Sequence, residues 1–186
     1  MNESASSEVA TLAGGCFWCI EAIFLEVDGV SAVIPGYTGG TTVNPTYEEV
    51  RTGDIGHAEA IQVTFDPASV SYHEILEVFF SVHDPTTLNR QGPDSGTQYR
   101  SAIFCHDERQ RAIANSLIRD LNESHLWTKP IATEVISLDR FYPAEDYHRE
   151  YFAQHPEQAY CQMVISPKVD KFRKRWAKRL KGRSAK

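Results

Sequence analysis

The chain has 186 residues, of which 41% are hydrophobic and 24% charged, as expected for a soluble globular domain with a sizeable core. It has no apolar run of the roughly 20 residues that cross a bilayer, and its first residues lack the basic and apolar regions of a secretory signal. Four cysteines are too few for a disulfide scaffold and fit a protein of the cytoplasm whose thiols react or pack, so we expect one domain over residues 1–186.

The first predicted elements lead to a cysteine. Residues 1–7 are polar and predicted to be loose, and Val9–Ala13 is predicted to form a strand that ends at a pair of glycines. After Cys16 the apolar residues recur at the spacing of an amphipathic helix: Ile20, Ile23, Phe24 and Val27. The sequence therefore places Cys16 at the beginning of a helix.

A thiol at that position has two interpretations. Unpaired N–H groups and the positive end of the helix dipole favour an anion, so we expect the pKa of Cys16 to lie below about 8.5 and its thiolate to be a nucleophile. The alternative is a small buried hydrophobic residue. Phe17 and Trp18 follow directly and suit the wall of an apolar substrate pocket. The alternative is that both are ordinary aromatic residues of the core.

The next strand carries a carboxylate on its apolar face. Val30–Pro35 reads as a strand, and a loop rich in glycine, threonine and tyrosine follows it. In the strand Ala58–Asp66, alternation places Glu59 on one face with Ile61, Val63 and Phe65. In apolar surroundings the pKa of Glu59 would rise, so that it stays a protonated donor near neutral pH. At the edge of the strand it would instead reach solvent.

The later elements alternate between helices and strands. The predicted order is a helix from a Ser71 capping box to His83, a polar loop (Thr86–Gln98), a strand (Tyr99–Cys105), a helix (Asp107–Ser124), a strand (Ile131–Leu138) and an irregular segment (139–165). We expect an α+β fold: a two-layer sandwich with a mixed or antiparallel sheet, helices on one face and a ferredoxin-like core.

The C-terminal stretch 166–181 is predicted to be a basic amphipathic helix. Ten Lys or Arg and one Asp lie between Lys168 and Lys186, and the rest of the chain carries a net charge of −15. A basic helix can meet nucleic acid or an anionic surface. An apolar stripe indicates that this helix docks on the domain instead: Val169, Phe172, Trp176 and Leu180. We predict no binding to nucleic acid or membranes.

Several unusual strings resemble the peptide methionine sulfoxide reductases of the A type (MsrA). They occur in the family's order over residues 8–155: Gly15-Cys16-Phe17-Trp18, Gly36-Tyr37-Thr38-Gly39-Gly40, Asn44-Pro45-Thr46-Tyr47, Gly56-His57-Ala58-Glu59-Ala60, His83-Asp84-Pro85, Gly96-Thr97-Gln98-Tyr99-Arg100-Ser101 and Phe141-Tyr142-Pro143-Ala144-Glu145-Asp146-Tyr147-His148.

The resemblance implies a reaction and a role for each matching residue. Cys16 would attack the sulfur of a methionine-S-sulfoxide, free or in an oxidised protein, and become a sulfenic acid. Glu59 would supply the proton that the leaving oxygen needs. The remaining matches would bind the sulfoxide oxygen or belong to its polar network (Tyr47, Tyr99, Asp94) and hold the substrate methyl group (Phe17, Trp18).

The resemblance also implies that a second cysteine forms a disulfide and that thioredoxin reduces it. The chain departs here from the family's glycine-rich tail. Cys161 is the preferred resolving thiol because an irregular segment can swing onto Cys16, and Cys19 remains open because C-x-x-C pairs close disulfides. We expect a monomer without a cofactor. A zinc site is disfavoured because a second closely spaced ligand pair is lacking.

Two other functions fit parts of the pattern. A thioredoxin-like dithiol–disulfide oxidoreductase also places C-x-x-C at the beginning of a helix, but it needs neither Glu59 nor the tyrosine-bearing loops. A non-catalytic module could use the aromatic residues to grip a methionine-containing peptide. Cys19→Ser should abolish dithiol exchange but leave a single turnover of methionine sulfoxide intact, which distinguishes the first alternative. Release of free methionine from the sulfoxide without a reductant excludes the second.

Overall fold

The computed structural model describes residues 6–182, so the greater part of the predicted loose segment 1–7 lies outside the described residues. The strands are β1 (Glu8–Gly14), β2 (Val30–Thr38), β3 (Ala58–Phe65), β4 (Arg90–Gln91), β5 (Asp94–Ser95), β6 (Ser101–Cys105), β7 (Glu134–Ser137) and β8 (Phe141–Pro143). The helices are α1 (Phe17–Phe24), α2 (Tyr47–Arg51), α3 (Tyr72–Val82), α4 (Glu108–Glu123), α5 (Tyr151–Gln154) and α6 (Ser166–Arg175).

Six of the strands form one mixed sheet in the order β7-β6-β1-β3-β2-β8. Neighbouring strands are antiparallel except β6 and β7, which run parallel. The α+β class and the mixed sheet are therefore confirmed, whereas a ferredoxin-like core stays a prediction. The short strands β4 and β5 form a separate hairpin.

The two faces of the sheet differ in what covers them. The larger core cluster joins one face to helices α1, α3, α4 and α6. The predicted face of β3 points into it, because Ile61, Val63 and Phe65 are fully buried. The opposite face carries a smaller cluster built mainly from small residues, packed against the β7–β8 region: Ala13, Ala58, Ala60, Ala102 and Phe104.

The polar loop predicted over Thr86–Gln98 is wrong in part, because it folds into the β4–β5 hairpin and a 3₁₀ turn, Thr97–Tyr99. Gln91 anchors this hairpin through two hydrogen bonds of 2.9 Å between its side chain and the backbone of Asp84. These contacts are polar and lie outside the periodic elements, so hydrophobic spacing gives no sign of them.

The C-terminal region differs from the prediction on both sides of residue 166. Part of the segment predicted to be irregular (139–165) is helical, and the helix predicted over 166–181 is shorter. Cys161–Ile165 forms a π-helical turn that runs directly into α6. The basic helix then ends at Arg175, since Trp176 leaves the helical conformation and its indole donates to Ser81. Leu180 pairs with Val27 instead. Within residues 6–182, no helix is long and apolar enough to cross a membrane.

Candidate active site

Cys16 is the residue immediately before α1 and ends the turn that leaves β1. Gly15 makes this turn possible, because its φ of +91° is a conformation that L side chains rarely adopt. A Cβ at Gly15 would also lie 2.6 Å from Cγ of Gln91. The Cys16 side chain is only 7% exposed, and the turn before it lies against Gln91 of the β4–β5 hairpin.

The surroundings of Cys16 do not favour the expected thiolate at the beginning of the helix. Burial raises the pKa of the Cys16 thiol well above its ordinary value, and the charge of Glu59 raises it further. The backbone N–H of Phe17, the first of the helix, donates to Glu59. The prediction of a lowered pKa is therefore wrong for this unliganded state, because loss of water outweighs the attraction of the helix terminus.

Glu59 lies at the beginning of β3, opposite Tyr37 of β2. Its side chain is only 2% exposed, which excludes the interpretation of a solvent-facing edge residue. Burial raises the pKa of Glu59 to about 8, against the lowering effect of the hydrogen bond from Phe17. Since Oε2 accepts that N–H at 3.0 Å, a protonated Glu59 can direct its acidic proton elsewhere.

The loop tyrosines are electrostatic neighbours of this pair. Tyr47 begins α2, whose capping box at Thr46 fixes the first turn. Burial raises the pKa of Tyr47 to about 12, and the charges of Glu59 and Cys16 add to the rise. Burial also raises the pKa of Tyr99, in the 3₁₀ turn before β6, and the charges of Glu59 and Asp94 add to the rise. Both hydroxyls therefore stay protonated donors.

Asp94 approaches the site from the β4–β5 hairpin. Its Oδ2 accepts a hydrogen bond of 2.6 Å from the hydroxyl of Tyr160. Tyr160 also lies 4.0 Å from Sγ of Cys19 and meets the Trp18 ring edge-on at 6.1 Å. Tyr160 thus joins the hairpin, α1 and the C-terminal region at one place.

The two aromatics after Cys16 occupy different environments. Phe17 is fully buried and lies 5.0 Å from the His148 ring. Trp18 is half-buried, and its indole donates to Nδ1 of His148 at 3.1 Å. The Tyr47 ring meets His148 edge-on at 4.6 Å. The apolar surface beside Cys16 is therefore built from three separate parts of the chain.

All four cysteines are free and buried. Cys19 lies one helical turn after Cys16, and its N–H donates to the Cys16 carbonyl at 3.1 Å. The two thiols also hydrogen-bond, which lowers the pKa of Cys19. Cys161 is fully buried at the beginning of the π-helical turn, and Cys19 is among the groups that act on its pKa. Cys105 lies away from the site on β6.

Sequence reasoning gave no role to three residues that surround the candidates: Glu145, His148 and Tyr160. Glu145 accepts hydrogen bonds from Tyr47 N–H (3.2 Å) and the Tyr37 hydroxyl (3.4 Å). His148 and Tyr160 contact Trp18 from regions with little periodicity. For Glu145 and His148 the only signal in the sequence was their occurrence within one of the strings that carry the resemblance, and for Tyr160 there was none, since no spacing rule relates residues about a hundred positions apart.

Comparisons with known proteins agree with one another. The family model for peptide methionine sulfoxide reductase matches residues 8–180. A peptide methionine sulfoxide reductase MsrA of Thermus thermophilus is 56% identical over 90% of this chain and 94% of its own length. The MsrA of Polynucleobacter asymbioticus is 52% identical over 89% of this chain and 87% of its own.

Solved structures share the fold. Mxr1 from Saccharomyces cerevisiae in reduced form has a TM-score of 0.77 at 32% identity, over 87% of this chain and 92% of that one. Methionine sulfoxide reductase A of Corynebacterium diphtheriae has a TM-score of 0.73 at 35% identity, over 85% and 79% of the two chains. This chain therefore belongs to the peptide methionine sulfoxide reductase family and is an enzyme of the MsrA type.

Proposed function

We propose that Cys16 reduces methionine-S-sulfoxide, free or peptide-bound, with Glu59 as the proton donor. The observation that carries the proposal is the state of Glu59: it is buried, its pKa is raised to about 8, and one of its oxygens is held by the N–H of Phe17 beside the candidate nucleophile. A carboxylic acid in this state is a proton donor at neutral pH.

The proposed reaction uses only the substrate and two side chains of the protein. Glu59 protonates the sulfoxide oxygen, which makes the substrate sulfur electrophilic and leaves a carboxylate. That carboxylate takes the proton of the neutral Cys16 thiol as its sulfur attacks. The hydroxyl group then passes from the substrate sulfur to the Cys16 sulfur, so that the S–O bond of the substrate and the new S–S bond both break. Methionine leaves, and Cys16 remains as a sulfenic acid. In this order the Cys16 thiol becomes nucleophilic only after protonation of the substrate has converted Glu59 into a base. The raised pKa of Cys16 at rest agrees with that order.

The surrounding residues supply binding and selectivity in this proposal. The hydroxyls of Tyr47 and Tyr99 donate to the sulfoxide oxygen, and Asp94 belongs to the same polar network. Phe17 and Trp18 receive the methyl group on the sulfur. Because the oxygen and methyl sites have fixed sides, only one configuration at sulfur fits, here expected to be S.

Cys19 and Cys161 recycle the sulfenic acid. The thiol of Cys19 hydrogen-bonds with that of Cys16, so it can condense with the sulfenic acid and release water. Cys161 then attacks Cys19, which passes on the disulfide and frees Cys16. In this proposed order both candidate resolving cysteines take part. Cys161 acts last because its thiol is an electrostatic neighbour of Cys19.

We propose thioredoxin as the reductant of the final disulfide. Yeast Mxr1 has been crystallised in complex with Trx2, in a structure that shares the fold of this chain at 24% identity and a TM-score of 0.55. The cytoplasmic location, the monomeric state and the single catalytic domain stay predictions.

The function is tested with the two separated epimers of N-acetylmethionine sulfoxide and no reductant. With excess sulfoxide, the expected result is up to two methionines per protein from the S epimer, because transfer of the disulfide to Cys19 and Cys161 frees Cys16 for a second reduction. The R epimer and Cys16→Ser should give none. Methionine release by Cys16→Ser contradicts the proposal. The same assay decides against a dithiol exchange enzyme and a passive binding module, since neither converts the sulfoxide to methionine.

A further inference from the structure

The indole of Trp18 is fixed by two rings that follow β8. Tyr151 stacks on it with ring centroids 3.8 Å apart and planes 6° from parallel. His148, which is fully buried, accepts the indole N–H at 3.1 Å. Both rings belong to one short segment, residues 146–154, so the position of that segment sets the orientation of the indole.

A buried carboxylate on α1 holds this segment. Glu21 lies one turn after Trp18 and is only 1% exposed. Its Oε1 accepts the backbone N–H of Glu150 at 2.9 Å, and the N–H of Tyr151 also hydrogen-bonds to the carboxylate. Burial raises the pKa of Glu21 to about 7 although these two bonds oppose the rise. A carboxylate is rarely buried this far without a specific partner.

The backbone that Glu21 holds is in an unfavourable conformation. Glu150 has φ 50° and ψ 34°, the left-handed region that suits glycine rather than glutamate. Its own side chain does not cap α5. Such a conformation persists where surrounding contacts determine it. The Glu21 carboxylate provides such contacts and, through them, sets the point at which α5 and Tyr151 begin.

We propose that Glu21 is a positioning residue for substrate recognition. By holding the backbone of Glu150 and Tyr151, it keeps the Tyr151 ring against Trp18 and so fixes the indole face that receives the substrate methyl group. Glu21 touches neither substrate nor Cys16 in this proposal. The inference rests on the proposed substrate-binding role of Trp18.

The first test is Glu21→Gln, which keeps the shape of the side chain but offers one acceptor oxygen instead of two. We expect the indole ¹H–¹⁵N signal of Trp18 to shift or broaden, while those of Trp127 and Trp176 stay in place. The KM for N-acetylmethionine-S-sulfoxide should rise about tenfold, equivalent to about 1.4 kcal/mol. The single-turnover rate at saturation should change less than about twofold, because the reacting atoms keep their surroundings.

Glu26→Gln is the matched control. It removes a carboxylate from the turn after α1, where Glu26 pairs with Arg173 rather than with residues 146–154. Neither the Trp18 signal nor KM should change. A purely structural role of Glu21 would lower the melting temperature and leave both readouts unmoved, and that result overturns the proposal.

The second test acts on the ring through which Glu21 works. Tyr151→Phe keeps the stacked ring and should keep the wild-type KM, whereas Tyr151→Ala should raise KM as Glu21→Gln does. The double variant Glu21→Gln/Tyr151→Ala should be no worse than the single ones, because both remove the same contact. Additive increases in KM contradict the proposed coupling.

A measurement on the wild-type protein covers the case in which Glu21→Gln does not fold. The amide N–H groups of Glu150 and Tyr151 should be protected from hydrogen exchange, and unprotected amides overturn the proposal. Trp18→Phe separates the two ideas. If it leaves KM unchanged, the substrate-binding role of Trp18 is wrong, and the indole signal in Glu21→Gln still decides whether Glu21 positions the ring.

Discussion

The carboxyl group of Glu59 accepts the first backbone N–H of α1, that of Phe17, at 3.0 Å. The N–H that would stabilise a Cys16 thiolate is therefore bonded to the acid instead. As a result the helix terminus orients a proton donor, and the neighbouring thiol stays neutral while the site is empty. In the proposed reaction, activation of Cys16 follows protonation of the substrate.

Replacement of the acid should slow the chemical step without preventing binding. Glu59→Gln should lower the single-turnover rate roughly 10²–10⁴-fold, the usual contribution of general acid catalysis. The rate of the wild-type enzyme should fall as pH rises through about 8, because the acid form of Glu59 is then lost. Rapid-quench measurement of methionine tests both. A variant with the wild-type rate would remove the proton-donor role.

Glu59 should also make the folded protein less stable at higher pH. Its pKa is about 8 when folded and near 4.5 when unfolded, so the unfolded state loses its proton first as pH rises. Between these values wild-type stability should fall relative to Glu59→Gln by an amount on the order of 4 kcal/mol. Urea denaturation at pH 5 and pH 8 measures the difference. Glu21 titrates in the same direction in both proteins, so it does not account for it.

Gly15 should be intolerant of a side chain. Gly15→Ala should destabilise the protein by about 2–4 kcal/mol, because alanine is strained at φ +91° and its Cβ would overlap the anchored side chain of Gln91. Gly92→Ala is the matched control, since that glycine has φ +56° and no atom within 4 Å of an added Cβ. It should cost only about 1 kcal/mol in thermal denaturation. Equal losses would show that steric overlap at Gly15 is unimportant.

The proposed order of disulfides predicts different products in different variants. After one turnover without thiol, the wild-type protein should carry a Cys19–Cys161 disulfide and a free Cys16. Cys161→Ser should stop at a Cys16–Cys19 disulfide. Peptide mapping by mass spectrometry distinguishes them. A Cys16–Cys161 disulfide in the wild-type protein would instead mean direct resolution, the order that sequence reasoning preferred.

The local features of this site were predictable and the long-range ones were not. Alternation along β3 correctly placed Glu59 with the buried residues, and apolar spacing after Cys16 correctly placed the beginning of α1. The pKa of Cys16 was predicted in the wrong direction, because a helix terminus is visible in sequence but the burial of its thiol in the folded protein is not. The contact between Glu21 and Glu150 spans 129 positions, which no periodicity reports.

The protonation state of Glu59 tests the central claim most directly. Carbon-13 labelling of the glutamate side chains, with Glu59→Gln to assign the signal, allows its carboxyl to be titrated in the unliganded enzyme. We predict a midpoint near 8, so that the group is largely protonated at neutral pH. A midpoint near 4.5, the ordinary value of a glutamate, would mean that Glu59 is already a carboxylate and cannot supply the proton.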